Sequence, residues 1–267
     1  MKHILVSTRN VQRIWAAAHA VEGRLTDQEI MGFGLIFGQP GLGKTKAVQA
    51  YMSRTNAEGR CQAFYIHARR IWSETSMLRD LLLICGRSAR HYRKDAIFDD
   101  LLETLTGRPG VFIIDQVDWI AERRSMVGIL HDLHDITGCA ILMVGEERVD
   151  AILRRYQAMY SRINSSAIIR VTSPTEADVH AVINERCEIA VDPAVSSEIS
   201  KTLGSALRPV VDEIREMERF ARINNTERIG IEDYRRIVAS RNKQSFKISQ
   251  PSSPMPENPR LAAVGGG

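Results

Sequence analysis

The feature that most constrains this chain is a glycine-rich turn that follows a short apolar run and precedes a predicted helix. The apolar run, Gly32–Phe37, is typical of a buried strand in a parallel sheet. The turn fits the pattern G-x-x-x-x-G-K-[ST] at every fixed position, and it consists of Gly38, Gln39, Pro40, Gly41, Leu42, Gly43, Lys44 and Thr45. A strand, this turn and a helix, in that order, form the context in which a backbone wraps phosphate groups.

The residue types in this turn predict how it holds a nucleotide. Its glycines allow the backbone N–H groups and the helix N-terminus to face negative charge. We expect Lys44 to reach the β and γ phosphates and the Thr45 hydroxyl to bind magnesium. The sequence therefore predicts a site for ATP and Mg²⁺.

A second motif supplies the expected carboxylate. The segment Val111–Ile114 is typical of a buried apolar strand, and Asp115 stands at its carboxyl end. A carboxylate at this point holds magnesium through the water shell of the ion. Because this motif follows a complete phosphate loop, we expect Thr45 and Asp115 to serve the same metal ion.

The residue after Asp115 departs from the usual chemistry of nucleotide hydrolysis, in which a carboxylate polarises the attacking water. Gln116 can orient water through hydrogen bonds but cannot accept a proton, although glutamine-assisted hydrolysis occurs in small GTPases. Asp118 could substitute only if the turn aims it inward. We expect slow hydrolysis that needs a partner or an oligomer. The alternative is that ATP is a structural or switching ligand that is hardly hydrolysed.

Alternating strand and helix patterns predict an α/β fold over residues 1–173, with a P-loop parallel sheet covered by helices on both faces. An amphipathic helix is predicted at Asn10–Glu22. The further strands and helices are expected at Ala63–Ile66, Val111–Ile114, Ala140–Val144 and Ala167–Val171, and at Ser76–Cys85, Ala96–Thr106, Met126–Ile136 and Val149–Tyr160.

Strand patterns stop after Thr175, and residues 174–243 are predicted to form a small helical lid domain. Its helices are expected at Glu176–Cys187, Ser196–Leu203, Pro209–Ile223 and Ile231–Ser240. Residues 244–267 hold four of the nine prolines and end in three glycines. This composition predicts a disordered tail.

Composition narrows the function classes. The formal net charge of +4 and the pI near 9.0 permit nucleic-acid binding. No apolar run reaches the roughly 18 residues of a membrane helix, and the N-terminus has no secretory signal pattern. The four cysteines lie far apart without a CxxC pair, which favours a reducing compartment and argues against zinc. We therefore expect a cytoplasmic protein without a membrane partner.

Together, these motifs resemble those of AAA+ ATPases of the transposition-helper group, a group that includes Mu-type phage transposition protein B and the ATP-binding helpers of insertion sequences. Four further segments carry the likeness: the helix opening Ser7–Val11, the sensor-1 strand Ala140–Glu147, the arginine-finger segment Tyr160–Ile163 and the sensor-2 entry Gly204–Arg208. Glu146 departs from the pattern, because an asparagine or threonine is commoner there. Gln116 and Glu146 are thus two catalytic positions that depart from the usual pattern.

The resemblance implies roles for three residues outside the two nucleotide motifs. Asn10 belongs to the helix opening that helps to cover the adenine, and Arg208 enters the lid helix beside the nucleotide. Arg162 would insert into a neighbouring subunit's site and neutralise charge there. The resemblance thus implies a homo-oligomer, either a ring or a helical filament, on double-stranded DNA. It also implies a transposase partner and the cytoplasm of a bacterium or phage-infected host.

Three groups of basic residues are candidate DNA contacts. Arg69 and Arg70 are preferred, because the resemblance places DNA-contacting loops after the Ala63–Ile66 strand. The other groups are Arg87, Arg90, Arg93 and Lys94, beside His91 and Tyr92, and the pair Arg123 and Arg124. Phosphate contacts of this kind are salt-sensitive and largely independent of sequence. Each group is alternatively an ordinary solvated surface.

Two other functions stay open. The first is an AAA+ switch that acts on protein partners without DNA, and the DNA dependence of ATPase activity separates it from a transposition helper. The second is a relative of replication initiators or helicase loaders. That relative predicts an origin-specific helix-turn-helix domain after the lid, which the short tail rich in proline and serine does not supply.

Overall fold

The carboxyl ends of five parallel strands lie at one edge of a central sheet, in a computed structural model that describes residues 1–27, 29–30, 32–91 and 93–248. The strands are β1 (Phe33–Phe37), β2 (Ala63–His67), β3 (Val111–Asp115), β4 (Ala140–Gly145) and β5 (Ile163–Arg170). Their order across the sheet is β2-β3-β4-β1-β5. The predicted α/β fold is confirmed.

Helices cover both faces of the sheet, which explains why every residue of β1, β3 and β4 is buried. The helices are α1 (Arg9–Glu22), α2 (Lys44–Glu58), α3 (Glu74–Ile84), α4 (Lys94–Leu105), α5 (Asp118–Ala121), α6 (Arg124–Thr137), α7 (Val149–Leu153) and α8 (Gln157–Tyr160). On one face, Ile14 of α1 and Tyr51 of α2 share a core with Leu142. On the other face, Leu78 and Leu130 share a core with Phe112.

The chain after β5 forms a helical domain with its own apolar core. Its helices are α9 (Glu176–Arg186), α10 (Pro193–Leu203), α11 (Leu207–Asn224) and α12 (Ile231–Ile248). It also contains two short parallel strands, β6 (Ala190–Val191) and β7 (Arg228–Ile229), which pair with each other. The expectation that strands stop after Thr175 is therefore wrong. Two-residue strands carry too little periodicity to be read from sequence.

Three predicted elements differ most from the structure. The helix expected over Val149–Tyr160 is two short helices, because the backbone of Tyr156 leaves the helical region (ψ 74°). The fifth strand begins at Ile163, four residues before its predicted start. Helix α12 continues to Ile248, so the first five residues of the predicted disordered tail are helical. The rest of that tail, residues 249–267, lies outside the described residues.

Several hydrogen bonds tie the helical domain to the rest of the molecule, and two of them lie beside the phosphate loop and the start of α1. The backbone N–H of Leu207, at the start of α11, donates to the carbonyl of Gly41 at 3.1 Å. The backbone N–H of Arg9, at the start of α1, donates to Asp178 Oδ1 of α9 at 2.8 Å. Over the described residues, no helix combines the length and apolar character needed to cross a bilayer.

The Asp178 carboxylate has two structural tasks, so we expect its removal to destabilise the fold. It accepts the Arg9 N–H, and it forms the capping box of α9 with Thr175. Asp178→Ala is expected to lower the free energy of unfolding by about 1–3 kcal/mol, measured by urea denaturation at pH 7. Glu176→Ala, an exposed substitution in the same helical turn, is the matched control and should change little.

The loss caused by Asp178→Ala should depend on pH in a defined direction. Burial opposes ionisation, but the hydrogen bonds from Arg9 and Thr175 hold the pKa of Asp178 below its ordinary value. A depressed folded-state pKa stabilises the fold above the unfolded value of about 3.9 and stops doing so as pH falls through the folded value. The difference between wild type and variant should therefore shrink below about pH 4. A difference that is constant with pH would contradict this role.

Candidate functional site

The glycine-rich turn lies between β1 and α2 with the backbone that its sequence predicts. Gly43 caps α2 in the left-handed region, with φ 88°. Gly38 has φ 152°, and a Cβ added there would lie 2.5 Å from the carbonyl oxygen of Val171. A side chain at Gly38 would therefore collide with the strand end beside the loop. The turn leaves its N–H groups and the start of α2 at the carboxyl edge of the sheet.

Lys44 lies against the loop that precedes it. Its Nζ donates to the carbonyls of Gly38 at 2.6 Å and Gln39 at 2.8 Å. Burial lowers the pKa of Lys44, and the neighbouring carboxylates oppose that shift, Asp115 first and Asp118 second. The ammonium group is therefore a positive charge beside the carboxylates that follow β3 and β4.

Thr45 and Asp115, predicted to serve one metal ion, are in direct contact. The Thr45 hydroxyl donates to Asp115 Oδ2 at 2.7 Å, and the Tyr65 hydroxyl donates to the same oxygen at 2.8 Å. The Gln116 N–H donates to Asp115 Oδ1 at 2.9 Å. Asp115 is only 3% exposed. A hydroxyl beside a carboxylate is an all-oxygen set of the kind that Mg²⁺ prefers, so these residues fit the ion.

Gln116 is turned toward a tryptophan. Its backbone has φ 54°, unusual for a residue other than glycine, and its exposed side chain accepts a hydrogen bond from Trp119 Nε1 at 3.0 Å. The guanidinium group of Arg70 lies over the Trp119 ring, 5.2 Å from its centroid. The residue after the metal carboxylate is therefore linked, through one indole, to the loop after β2.

Asp118 is aimed inward. It is 6% exposed, and its Oδ2 accepts the Glu146 N–H at 2.9 Å. Its Oδ1 has no hydrogen-bond partner, and the nearest cation is Arg148 Nε at 4.0 Å. Burial raises the pKa of Asp118. Glu146, at the predicted sensor-1 position, thus contacts Asp118 through its backbone N–H, whereas its side chain is exposed.

Asn10 and Arg208 both lie near the phosphate loop. The buried Asn10 amide donates to the Thr172 carbonyl at 2.8 Å. A Cβ built on Gly41 would be 3.7 Å from Arg208 Cβ, and Arg208 is exposed there. The structure therefore brings the predicted sensor-2 arginine to the loop, whereas the Asn10 side chain fastens α1 to the end of β5.

Arg162 lies at the opposite edge of the sheet. Its carbonyl accepts the N–H of Phe33, the first residue of β1, whereas the phosphate loop follows the last residue of that strand. Its guanidinium makes two hydrogen bonds to the Asp135 carboxylate, at 2.9 and 2.8 Å, and a third to the Ala158 carbonyl. Arg162 therefore cannot contact its own subunit's phosphate loop.

The preferred DNA candidates lie on a loop at the same edge as the nucleotide motifs. Arg69 pairs with Asp80 at 2.9 Å, Arg70 stacks on Trp119, and Ile71 between them and α3 is 87% exposed. Arg123, a member of another candidate group, donates instead to the carbonyls of Arg70 and Trp72. It therefore holds the loop's backbone.

In the remaining candidate groups, two cations are held by neighbouring carboxylates. Arg93 pairs with Asp95, and Lys94 pairs with Glu74 at 2.6 Å. Tyr92 lies outside the described residues. These pairs are exposed and contribute little to stability, but they reduce the positive charge that the cluster offers to DNA.

Sequence reasoning missed Tyr65 and Trp119. Tyr65 reaches Asp115 because β2 pairs with β3, and Trp119 reaches Gln116 because a short helix follows β3 directly. Neither residue belongs to a motif. The signal available was the alternation of β2, which places Tyr65 on the face of the sheet that carries the phosphate loop.

Comparison with known proteins finds a domain match over part of the chain. Residues 29–153 match the family model described as AAA domain. The ORC1-type DNA replication protein 9 of Halobacterium salinarum is 25% identical to this chain over 175 residues, which is 64% of this chain and 48% of the relative. The chain therefore spans about half the length of that relative.

Solved structures support the fold over most of the chain. The Aeropyrum pernix Orc1 protein, solved in complex with DNA, matches with a TM-score of 0.65 and 14% identity, over 91% of this chain and 67% of that one. Cdc6p from Pyrobaculum aerophilum matches with a TM-score of 0.65 and 17% identity, over 87% and 67%. The chain thus has the fold of AAA+ P-loop ATPases. The narrower likeness to transposition helpers stays a prediction.

The position of Lys44 predicts that its removal weakens nucleotide binding. Loss of a charge-assisted hydrogen bond of about 1.5–3 kcal/mol corresponds to a roughly 10- to 150-fold weaker Kd for ATP. Lys44→Ala should show this weakening in titrations with a fluorescent ATP analogue. Lys46→Ala, an exposed neighbour on the same helix, is the control, and equal losses in both variants would contradict the assignment.

Proposed function

We propose that this protein is an ATPase that binds ATP and Mg²⁺ at the Gly38–Thr45 loop and, in its ATP state, holds double-stranded DNA largely without regard to sequence. The observation that carries the proposal is the junction at the carboxyl edge of the sheet. There, the Thr45–Asp115 pair and the loop of Arg70 are joined through Trp119 and Gln116.

The chemistry of the site favours slow hydrolysis. The glycine backbone and Lys44 would bind the phosphates, and Thr45 with Asp115 would hold a magnesium ion, which supplies charge neutralisation for the phosphates. Gln116 is occupied by Trp119 and has no carboxylate with which to accept a proton. DNA that drew Arg70 away from Trp119 would also loosen Gln116. This link supports stimulation of hydrolysis by DNA.

The loop of Arg69, Arg70 and Ile71 is suited to the DNA backbone. Arg70 is exposed, and a phosphate would compete with the weak stacking on Trp119, which is worth about 0.5–1 kcal/mol at an exposed site. Arg69 already forms a salt bridge with Asp80 and therefore offers a weaker contact to a DNA phosphate. Such contacts fix position without reading bases.

Assembly would be head to tail. Arg162 stands at the amino edge of the sheet and the phosphate loop at the carboxyl edge, so one subunit's arginine can serve only another subunit's nucleotide. An interface of this kind closes into a ring or continues as a helical filament. ATP bound between subunits would then control the oligomer that coats DNA.

The finer assignment we propose is a cytoplasmic regulator of transposition that delivers target DNA to a transposase. It rests on the sensor and finger segments of the resemblance. The Halobacterium relative and the archaeal structures favour a second candidate, an initiator-type role. Sequence preference separates the two, because an initiator should prefer its origin DNA by about a thousandfold or more over other duplexes, whereas a delivery factor should not.

Fluorescence anisotropy of a labelled random-sequence duplex tests the DNA activity. It should be measured without nucleotide and with ADP, ATP and a nonhydrolysable ATP analogue, over a salt series. Tight binding with ATP or the analogue alone, lost in Lys44→Ala, is expected. Absence of binding in every nucleotide state at low salt would reject the DNA function in favour of a switch that acts on protein partners.

The same assay tests Arg70. Arg70→Ala should weaken binding on every sequence and reduce the slope of log K against log salt by about 0.9, the value for one lost phosphate contact. Arg222→Ala, an exposed arginine of α11, is the control. An unchanged slope in Arg70→Ala would remove this residue from the interface.

Complementation between subunits tests the trans role of Arg162. Arg162→Ala and Lys44→Ala should each abolish ATPase activity, while an equimolar mixture should recover activity at about a quarter of its interfaces. The recovery arises where a subunit with an intact Lys44 meets a neighbour with an intact Arg162. A mixture as inactive as its components would contradict the head-to-tail arrangement.

A further inference from the structure

A buried carboxylate near the nucleotide motifs has an oxygen that the fold does not use. Asp118 Oδ2 accepts the Glu146 N–H, but Oδ1 has no hydrogen-bond partner although the residue is 6% exposed. Buried carboxylate oxygens are normally paired, and an unpaired one calls for an explanation. Arg148 Nε, at 4.0 Å, is beyond hydrogen-bond range and its side chain is 57% exposed.

Asp118 lies between the carboxyl ends of two strands that carry nucleotide motifs. It begins α5, directly after the β3 strand that ends in the metal carboxylate, and it reaches across to the end of β4. Gly145 permits this approach, because a Cβ there would lie 2.9 Å from Asp118 Oδ2. Burial lowers the pKa of Lys44, and Asp118 is second only to Asp115 among the charges that oppose that shift. The carboxylate therefore lies within the field of the phosphate-binding lysine.

Gln116 does not meet the need for a base. Its amide cannot take a proton, its side chain is exposed, and its oxygen is held by Trp119. Asp115 is committed to Thr45 and Tyr65 through one oxygen and to Gln116 N–H through the other. Glu146 is exposed. Among these four residues, Asp118 alone is buried and has a carboxylate oxygen without a hydrogen-bond partner.

We propose that Asp118 is the catalytic carboxylate of ATP hydrolysis, with Oδ1 accepting the proton of the attacking water. This inference rests on the ATPase function proposed above. In the step, the water oxygen forms a bond to the γ-phosphorus, the bond from that phosphorus to the β–γ bridging oxygen breaks, and the water proton passes to Asp118 and then to solvent. The products are ADP and phosphate, and no further reactant is needed. The second carboxylate oxygen stays with Glu146 N–H and fixes the orientation.

The test compares Asp118→Asn with Glu122→Gln under DNA-stimulated conditions, since Glu122 is an exposed carboxylate at the C-terminal cap of the same helix. The asparagine variant keeps an acceptor for Glu146 N–H but removes the base, so kcat should fall by about 100-fold or more. Glu122→Gln should leave kcat unchanged. The Kd for ATP should be unchanged in both variants, which separates loss of chemistry from loss of binding.

The Tm of Asp118→Asn distinguishes a catalytic role of Asp118 from a structural one, because the two roles predict opposite changes. A buried carboxylate with an unpaired oxygen is a stability cost, so Asp118→Asn should leave Tm unchanged or raise it. A lower Tm together with weaker ATP binding would identify a structural role and overturn the inference. Undiminished kcat in Asp118→Asn would also overturn it while leaving the ATPase function intact. A wild-type protein that binds ATP but never hydrolyses it would remove the ATPase function itself, and the inference with it.

Discussion

The hydrogen bond between Thr45 and Asp115 is the contact on which the proposed site depends. It joins the start of α2 to the end of β3, across the intervening strand β4. It can form only because parallel strands bring their carboxyl ends to one edge of a sheet. A slip of β3 by one residue would turn Asp115 to the opposite face. The buried apolar residues of β3 therefore hold the register that the polar pair requires.

The sequence alone predicted the strands and the phosphate loop, because each is determined by neighbouring residues in the chain. The strands of the sheet are short apolar runs because helices cover both faces, and the phosphate loop is a contiguous motif whose Gly38 has no room for a side chain. Pairs between distant residues carry no such pattern. The Tyr65–Asp115 and Trp119–Gln116 contacts, and the pairing of Arg69 with Asp80, follow from how elements pack, so the sequence alone could not reveal them.

The carboxylates after β3 show how environment separates two chemically equal side chains. Asp115 has donors at both oxygens, whereas Asp118 has a donor at one. A buried acceptor without a partner costs about 1–3 kcal/mol, a large fraction of the stability of a typical domain. Sites that carry out chemistry tolerate such costs, since a group saturated with hydrogen bonds has no free lone pair for a substrate.

The shared direction of the parallel strands constrains how copies of this chain can assemble. Arg162 and the phosphate loop lie at opposite edges, so in the proposed head-to-tail assembly each of these two surfaces would be completed by another copy. The Arg162–Asp135 pair is about one-third exposed on both sides, and pairs of this kind contribute about 0–1 kcal/mol. In the proposed assembly, a neighbour's triphosphate, with several negative charges in a drier interface, would be the stronger partner for that guanidinium. Exchange of Asp135 for phosphate would then favour assembly when ATP is bound, and loss of the γ-phosphate would return Arg162 to Asp135.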